Sequence, residues 1–154
     1  MRPLKWPIKA TRLNQQEVIR KILKDVNLAV SEVRLSAEIT GREKTICSIY
    51  RKMREKKLSF SSILDLYGFR IIVESSLDCY ICIDALHALY NPVSGKFKDY
   101  IAIPKTNGYQ SLHTTLIGPF GLPIEFQVRT RKMNEIAEAG MAAHWLYKNG
   151  SIGI

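Results

Sequence analysis

Apolar residues near the N-terminus recur at the spacing of a helix. Pro3 and Pro7 predict an irregular arm over residues 1–12. Asn14, with Glu17 three residues later, resembles a capping box, in which two side chains bond the first free backbone amides of a helix. One face of the following segment collects Ile19, Ile22, Leu23, Val26 and Val30. We therefore expect a helix that begins near residue 14 and ends near residue 30.

From Ser31 the apolar period becomes two residues, which predicts a half-buried strand that ends at Gly41 and buries Val33, Leu35, Ala37 and Ile39. The later segments predict a helix, a strand, a helix, two strands and a last helix, at residues 44–57, 63–73, 77–90, 112–117, 124–129 and 132–148. Interleaved helices and strands predict an α+β fold, a mixed β-sheet flanked by helices. We expect an arm and helix over 1–30, one domain over 31–150 and a tail over 151–154.

The composition is ordinary for a soluble globular domain, with 46% hydrophobic and 24% charged residues among 154. No apolar run approaches the roughly 20 residues that span a bilayer, and the basic N-terminus is not followed by the apolar segment of a signal peptide. We therefore expect a cytoplasmic protein. Cys79 and Cys82 form a CxxC pair within an apolar helix-like run, with no second Cys or His pair nearby, which favours buried thiols over a zinc site.

Positive charge is concentrated in one segment of the chain. Residues 41–57 hold seven basic and two acidic residues, a net charge of +5 out of the formal +9 of the whole sequence. Such a concentration predicts a polyanionic partner, which can be nucleic acid, nucleotide phosphates or an acidic surface. A solvated helix face is the alternative.

Two carboxylates are predicted to lie on strands among apolar neighbours, Asp65 in ILDLYGFR and Glu125 in PIEFQV. A pair of acids on neighbouring strands can hold Mg²⁺ through oxygen ligands, or one acid can act as a general base. Alternatively each pairs with a nearby cation, such as Arg70 or Arg129. Asp65 and Arg70 have opposite parity on their strand, so a bulge at Gly68 is expected if both serve one site.

The basic helix and one later loop carry residues suited to a nucleotide. At helical spacing, one face of the basic helix would carry Lys44, Ser48 and Lys52, which suits a row of phosphates, and Arg42 can lay its guanidinium on a base. In the loop KDYIAIPKTNGYQSLHTT, Tyr109 can offer its ring to a base. Lys98 and Lys105 offer charge there, and Asn107 a hydrogen bond. An ordinary turn with a packed tyrosine is the alternative for this loop.

Five ordered segments together resemble the synthetase domain of the RelA/SpoT homologue family, over about residues 35–148: GREKTICSIYRKM, ILDLYGFRIIV, GKFKDYIAIPKTNGYQSLHTT, PIEFQVRT and AEAGMAAHWLYK. The resemblance implies a fold similar to the nucleotidyltransferase palm. It also implies transfer of the β,γ-pyrophosphate of ATP to the 3′-hydroxyl of GDP or GTP, with release of AMP, to make the stringent-response alarmone (p)ppGpp. Mg²⁺ is the implied cofactor, with Mn²⁺ as an alternative.

The resemblance also assigns roles by position. Asp65 matches the metal-binding aspartate, and Glu125 matches the residue that activates the 3′-hydroxyl, with a share in metal binding. The implied ATP contacts are Arg42 and Arg70 on adenine, and Lys44, Ser48 and Lys52 on phosphates. Tyr109 matches the tyrosine that stacks on guanine, and the acceptor side further includes Lys98, Lys105, Asn107 and His113. A structural role for His113 is an equal alternative, and core roles are expected for His87 and His144.

The tetrad KFKD, residues 96–99, resembles the basic version found in family members that also hydrolyse alarmone and tend to prefer GDP. Long members carry hydrolase and regulatory domains that do not fit in this length, so we expect an excised domain, a split-gene fragment or a small stand-alone synthetase. Further domains or the ribosome are expected partners if the chain is part of a longer enzyme. A silent guanine-nucleotide-binding fragment and a basic RNA-binding module are the rival hypotheses; the chemistry itself requires no nucleic acid.

Overall fold

The computed structural model describes residues 5–43 and 67–148. The three described α-helices are Lys5–Glu32 (α1), Ser76–Leu89 (α2) and Arg131–Lys148 (α3). The described strands, β1 to β6 in chain order, are Glu38–Glu43, Tyr67–Val73, Asn91–Pro92, Lys98–Asp99, Leu112–Ile117 and Pro123–Thr130. A 3₁₀ turn over Pro119–Gly121 joins β5 to β6.

The described strands form one mixed sheet, in the order β1-β2-β6-β5-β3, and β4 pairs with another part of β5. Strands β2 and β6 are parallel, and the other pairs are antiparallel. The α+β fold with a mixed sheet flanked by helices is therefore confirmed. The predicted strands 112–117 and 124–129 and the predicted helices 77–90 and 132–148 agree with the structure to within one residue at each end.

Helices α1 and α2 cover one face of the sheet and form the core with it. The face of α1 that packs there repeats every four residues, with Val18, Ile22, Val26 and Val30 all buried. From the sheet, alternate residues such as Phe69 and Phe126 meet this face, and their two rings stack with centroids 5.4 Å apart. Burial of each large apolar side chain of this kind stabilises the fold by about 1.5–3 kcal/mol.

The bounds of helix α2 are set by residues next to it in the sequence. Ser75 is its N-cap, and the hydroxyl oxygen of Ser75 accepts a hydrogen bond of 3.2 Å from the backbone amide of Asp78. Pro92 follows shortly after the helix end and cannot continue it. Cys79 and Cys82 face the core from α2 as fully buried free thiols, so the prediction of buried cysteines is confirmed.

The start of α1 corrects the predicted N-terminal arm and capping box. The helix already begins at Lys5, so Asn14 and Glu17 lie well inside it and not at its N-terminus. Pro7 lies in the first turn, where backbone amides have no partner within the helix and the lack of an N–H costs little. Pro7 therefore allows a helix at a position where we predicted irregular chain.

The end of α1 corrects the predicted strand over residues 31–41. The helix continues to Glu32, and Arg34 then adopts a left-handed φ of 59° while the amide of Leu35 donates to the carbonyl of Val30 over 3.2 Å. The strand begins only at Glu38. Leu35 and Ala37 are partly buried because the connection packs on the core, which produced an apolar period of two without a strand.

The predicted bulge at Gly68 is wrong for the described part of its strand. Pairing runs residue by residue along β2, with Gly68 opposite Arg42 on one side and Glu125 on the other. The predicted strand agrees with the structure over Tyr67–Val73. The predicted helix 44–57 and residues 63–66 lie outside the described residues.

Candidate functional site

The face of the sheet opposite α1 and α2 carries polar side chains in register across the strands. One row runs from Thr40 through Arg70, Gln127 and His113 to Lys98, and so includes five of the six strands. The Cβ atoms of directly paired residues lie about 5 Å apart. The row therefore places Arg70 on the β2 side of the site, and His113 and Lys98 on the opposite side.

A second row, one step along the strands, contains the predicted catalytic carboxylate. Glu125 is half-buried at the centre of the sheet, paired with Gly68 on β2 and Thr115 on β5. On β1 the row continues to Arg42, whose side chain is not described. Glu125 is therefore placed centrally on the open face, with strands on both sides of it.

Glycine at position 68 leaves room beside Glu125. A Cβ built on Gly68 meets no atom of the described residues within 4 Å, and the glycine lies in a depression of about 310 Å³ that Arg70, Glu125, Gln127 and Met141 border. Met141 extends from α3 and is 71% exposed. Helix α3 therefore forms one wall of the depression, and the sheet forms its floor.

Arg70 makes one ion pair with α3. Its Nη1 lies 3.7 Å from Oε2 of Glu138, and both side chains are substantially exposed, at 42% and 62%. An exposed pair of this kind contributes about 0–1 kcal/mol. The contact therefore holds Arg70 loosely and leaves its guanidinium available to a ligand in the depression.

The described part of the site offers one oxygen ligand for a divalent cation, and not a complete set. Among residues 5–43 and 67–148, no three His, Cys, Asp or Glu side chains cluster in a way that could hold a metal. Glu125 does offer one hard oxygen ligand beside the space at Gly68, which fits Mg²⁺ that also binds phosphate oxygens. The second expected ligand, Asp65, lies outside the described residues.

The loop between β4 and β5 is fixed at its start by Asp99. Oδ1 of Asp99 accepts hydrogen bonds of 3.0 and 2.9 Å from the backbone amides of Ile101 and Ala102, and Oδ2 accepts one of 2.8 Å from the Tyr80 hydroxyl of α2. Partial desolvation acts to raise the pKa of Asp99, but these hydrogen bonds to the carboxylate leave it lowered. The last residue of the KFKD tetrad thus anchors the loop to a core helix.

A tight turn follows within the same loop. The amide of Gly108 donates to the carbonyl of Lys105 over 2.8 Å, and Gly108 has a φ of +86°, which glycine adopts without strain. Oδ1 of Asn107 accepts a hydrogen bond of 3.0 Å from the amide of Tyr109. The side-chain oxygen of Asn107 therefore stabilises the turn, and the side-chain nitrogen of Asn107 is left to contact a ligand.

Tyr109 is held from both sides of its hydroxyl. Nη1 of Arg129 donates to the Tyr109 oxygen over 2.9 Å, and this oxygen lies 2.7 Å from Nε2 of His113. Burial, with the positive charges of Lys105 and Arg129, lowers the pKa of His113 to about 4. His113 is therefore neutral at pH 7.

A lysine and two further aromatic rings pack around the ring of Tyr109. Nζ of Lys105 lies 4.7 Å from the ring centroid of Tyr100 and 5.4 Å from that of Tyr109, both within the range of cation–π attraction. The Tyr100 ring meets the rings of Tyr109 and His113 edge-on, at 6.2 and 5.3 Å. The loop thus presents a prearranged aromatic and cationic surface next to the open face.

The structure brings together those predicted site residues that it describes. Glu125, Arg70, His113 and Lys98 share the open face, and Tyr109, Lys105 and Asn107 lie in the adjoining loop. Outside the described residues lie Lys44, Ser48, Lys52 and Asp65. His144 lies on α3, and its side chain is not described.

Sequence reasoning missed the role of Arg129, which it considered only as an ion-pair partner for Glu125. Glu125, Gln127 and Arg129 alternate along β6 and so share one face, and this parity was the available signal. The anchoring role of Asp99 was missed as well. Its contact with Tyr80 joins residues 19 positions apart and has no local pattern.

The fold is an α+β domain whose sheet is covered on one face by α1 and α2 and carries rows of polar side chains on the other. Residues 41–152 match the family model for the region found in RelA / SpoT proteins. The chain is 50% identical over 147 residues to the bifunctional (p)ppGpp synthase/hydrolase SpoT of Escherichia coli K12, which covers 96% of this chain and 21% of that protein. It is 46% identical over 138 residues to a GTP pyrophosphokinase of Streptomyces coelicolor, which covers 90% of this chain and 16% of the relative.

Solved structures of similar fold include two small alarmone synthetases of Bacillus subtilis. Synthetase 1, bound to its product pppGpp, has a TM-score of 0.73 and 25% identity, over 94% of this chain and 82% of that one. Synthetase 2 has a TM-score of 0.74 and 26% identity, over 93% and 82%. The chain therefore belongs to the RelA/SpoT family, as the sequence predicted.

The chain spans about a fifth of the length of the curated relatives it matches. Of its described helices, none is long and apolar enough to cross a membrane.

Proposed function

We propose that this chain transfers the β,γ-pyrophosphate of ATP to the ribose 3′-hydroxyl of GDP or GTP, which yields (p)ppGpp and AMP. The observation that carries this proposal is the position of Glu125. It lies on the open face between Arg70 on one side and His113, with the Tyr109 loop, on the other. A base placed between two nucleotide sites is what this reaction requires, and the names of the relatives agree with it.

Glu125 would act as the general base. A sugar hydroxyl is a poor nucleophile, and a carboxylate within hydrogen-bond reach takes its proton as the new bond forms. The 3′-oxygen then attacks the β-phosphorus of ATP, and the bond between this phosphorus and the bridging α,β-oxygen breaks. The electron pair leaves with AMP, and the proton stays on Glu125 until solvent removes it.

The cations around the face would stabilise the charge on the phosphates. Arg70 would contact the ATP side, together with Arg42, Lys44, Ser48 and Lys52, in the roles that the family resemblance implies. Preorganised positive charge supplies most of the rate enhancement in phosphoryl transfer. Mg²⁺, or Mn²⁺, held by Asp65 and Glu125 would neutralise further phosphate charge.

The acceptor guanine would stack on Tyr109, with Lys98, Lys105, Asn107 and His113 around the nucleotide. The Tyr109 hydroxyl is already hydrogen-bonded to Arg129 and His113, so its ring has one orientation before the nucleotide arrives. A ring that is fixed in advance loses less conformational entropy when a base stacks on it. ATP and GDP or GTP would be the partners, in the cytoplasm.

The proposal is tested by thin-layer chromatography of the protein with γ-³²P-ATP, Mg²⁺ and either GDP or GTP. We expect labelled guanosine tetra- or pentaphosphate from the wild type, and none from Glu125→Gln, which keeps the size of the side chain and removes the base. Glu17→Gln is the matched control, because Glu17 is exposed on α1.

The other outcomes of this experiment have distinct meanings. Nucleotide binding without product from the wild type would contradict synthesis and support a silent nucleotide-binding fragment. RNA binding that falls steeply with salt and does not depend on Glu125 would support the RNA-binding alternative. Product formation that Glu125→Gln leaves unchanged would exclude Glu125 as the base.

A further inference from the structure

We propose that Arg129 is the positioning residue of the acceptor-nucleotide site, and that it fixes both the Tyr109 ring and the hydrogen-bonding state of His113. The proposal rests on the proposed function and goes further, because it assigns a role to a residue that would not itself touch either nucleotide.

Arg129 is the most deeply buried charged residue among those that the structure describes. Its side chain is 3% exposed, at the end of β6 where α3 begins. Burial of a charged group without partners is costly, so the fold keeps one here only with hydrogen bonds around it. The hydrogen-bond partners of the buried guanidinium therefore show which groups it holds in place.

The guanidinium holds two side chains that lie on different elements. Nε of Arg129 donates to Oδ1 of Asn134 on α3 over 3.1 Å, and Nη1 donates to the Tyr109 hydroxyl oxygen over 2.9 Å. The guanidinium carbon also lies 5.7 Å from the centroid of the Tyr109 ring. A planar fork with several fixed donors can keep both partners at once, which the ammonium group of a lysine cannot do with the same geometry.

The direction of the first hydrogen bond follows from the chemistry of its donor. Arginine has no acceptor, so the Tyr109 oxygen accepts the bond from Nη1. The Tyr109 hydroxyl keeps its own hydrogen to donate, and the proposal assigns this hydrogen to Nε2 of His113, 2.7 Å away. In this assignment His113 accepts at Nε2 and carries its proton on Nδ1. Arg129 thus orients Tyr109 directly, and it orients His113 through the Tyr109 hydroxyl.

Tyr109 and His113 lie at the open face and not inside the α1–α2 core. His113 is in the polar row with Gln127 and Lys98, and Tyr109 is in the β4–β5 loop. Loss of the Arg129 contact should therefore change how the acceptor binds more than it changes the stability of the core. A variant that lacks this contact should therefore bind the acceptor more weakly and bind ATP as well as the wild type does.

The first test measures KM for GDP, KM for ATP and kcat in Arg129→Gln, Arg129→Lys, Tyr109→Phe and Arg129→Gln/Tyr109→Phe. We expect a rise of about tenfold in KM for GDP in Arg129→Gln and in Tyr109→Phe, the size of one hydrogen bond to a charged group. The KM for GDP of Arg129→Lys should lie between those of the wild type and Arg129→Gln. KM for ATP should stay within about twofold of the wild type.

The double variant decides whether Arg129 acts through Tyr109. If it does, removal of the hydroxyl has little further effect once Arg129 is gone, and the double variant resembles Arg129→Gln. Multiplied effects on KM for GDP would overturn the proposal. Arg131→Gln is the matched control, because Arg131 is 67% exposed and its Nη2 lies 3.6 Å from Oε2 of Glu38.

A second test needs no turnover and so separates this proposal from the proposed function. Two-bond ¹H–¹⁵N correlation spectra at pH 7 report which nitrogen of His113 carries the proton. We expect an unprotonated Nε2 in the wild type, and a change of this signal in Tyr109→Phe and Arg129→Gln but not in Arg131→Gln. A protonated Nε2 in the wild type would overturn the assignment even if alarmone is made.

Tyr109→Phe keeps the test valid if Arg129→Gln fails to fold, because it removes a single oxygen from a half-buried ring. If the wild type makes no alarmone, calorimetric titration with GDP replaces KM as the measure of acceptor affinity. An equal GDP affinity in the wild type and Tyr109→Phe would then overturn the proposal.

Discussion

Glu125 on β6 lies directly opposite Gly68 on β2, and among the described residues the missing side chain of the glycine leaves open space beside the carboxylate. We predict that Gly68→Val lowers kcat/KM at least about tenfold without loss of stability. In the part of the chain that the structure describes, a Cβ at this position meets no atom within 4 Å, and valine favours a strand over glycine by up to about 1 kcal/mol. Urea unfolding and the chromatographic assay measure the two effects in parallel.

Gly41→Ala is the contrasting control on the neighbouring strand. A Cβ at position 41 would overlap the ring of Phe69, so the change should destabilise the protein by about 1–3 kcal/mol. A destabilised Gly68→Val would contradict the predicted stability, and full activity in that variant would show that the space beside Glu125 is not needed for the nucleotides.

Asp99 and Tyr80 should control the order of the acceptor loop. We predict that Asp99→Ala speeds amide hydrogen exchange at Ile101 and Ala102, because both amides lose their acceptor. Tyr80→Phe removes only the bond to α2 and should have a smaller effect. Hydrogen exchange followed by NMR measures both. An equal effect of the two variants would mean that the helix contact, and not the turn, holds the loop.

His113 should make stability depend on pH between about 4 and 6.5. Its pKa is lowered to about 4 in the folded protein and returns to about 6.5 on unfolding, so the unfolded chain binds the additional proton in this range. Stability should therefore be complete above pH 6.5 and fall as the pH decreases toward 4. Each pKa unit corresponds to about 1.4 kcal/mol, and because His113 is only partly buried, solvent screening should reduce the loss to about 1–2 kcal/mol.

The measurement is the free energy of unfolding at pH 7 and pH 4.5, in the wild type and in His113→Gln. His87 also has a lowered pKa, from burial, and contributes in the same direction, so only the difference between the two proteins reports on His113. Lys105, Arg129 and Tyr109 surround His113 and are present in both. The same pH dependence in both proteins would contradict the prediction.

Cys79 and Cys82 should not react with thiol reagents in the folded protein. Both are fully buried, and burial raises the pKa of each thiol to about 12, so almost no reactive thiolate forms at pH 7. The test uses Cys47→Ser, because Cys47 lies outside the described residues. We expect no reaction with a disulfide reagent in buffer and two thiols per chain in denaturant. Reaction in buffer would show that α2 opens from the core.

Local patterns in the sequence were sufficient for several elements. The alternation on β5 and β6 and the apolar run of α2 predicted these elements nearly residue by residue, because each buries one face against a single core. The five family segments predicted the family for a different reason, since they are specific residue types in a fixed order. Buried thiols also followed from their apolar surroundings.

Other features were decided by tertiary structure. Residues 33–39 had the period of a strand, yet α1 continues to Glu32 and the strand begins at Glu38, because a connection that packs on the core is also apolar at alternate positions. The arm predicted from Pro3 and Pro7 is wrong from Lys5 onward, because the first turn of a helix accepts a proline.

The site shows the same division most clearly. The sequence by itself determined which residues were polar on each strand, and therefore which face they share with Glu125. It did not determine that β2 pairs in parallel with β6, which brings Gly68 beside Glu125, or that Arg129 reaches Tyr109. Periodicity along a chain reports which side of an element is buried, whereas contacts between distant residues depend on strand order and register, which only the packed fold decides.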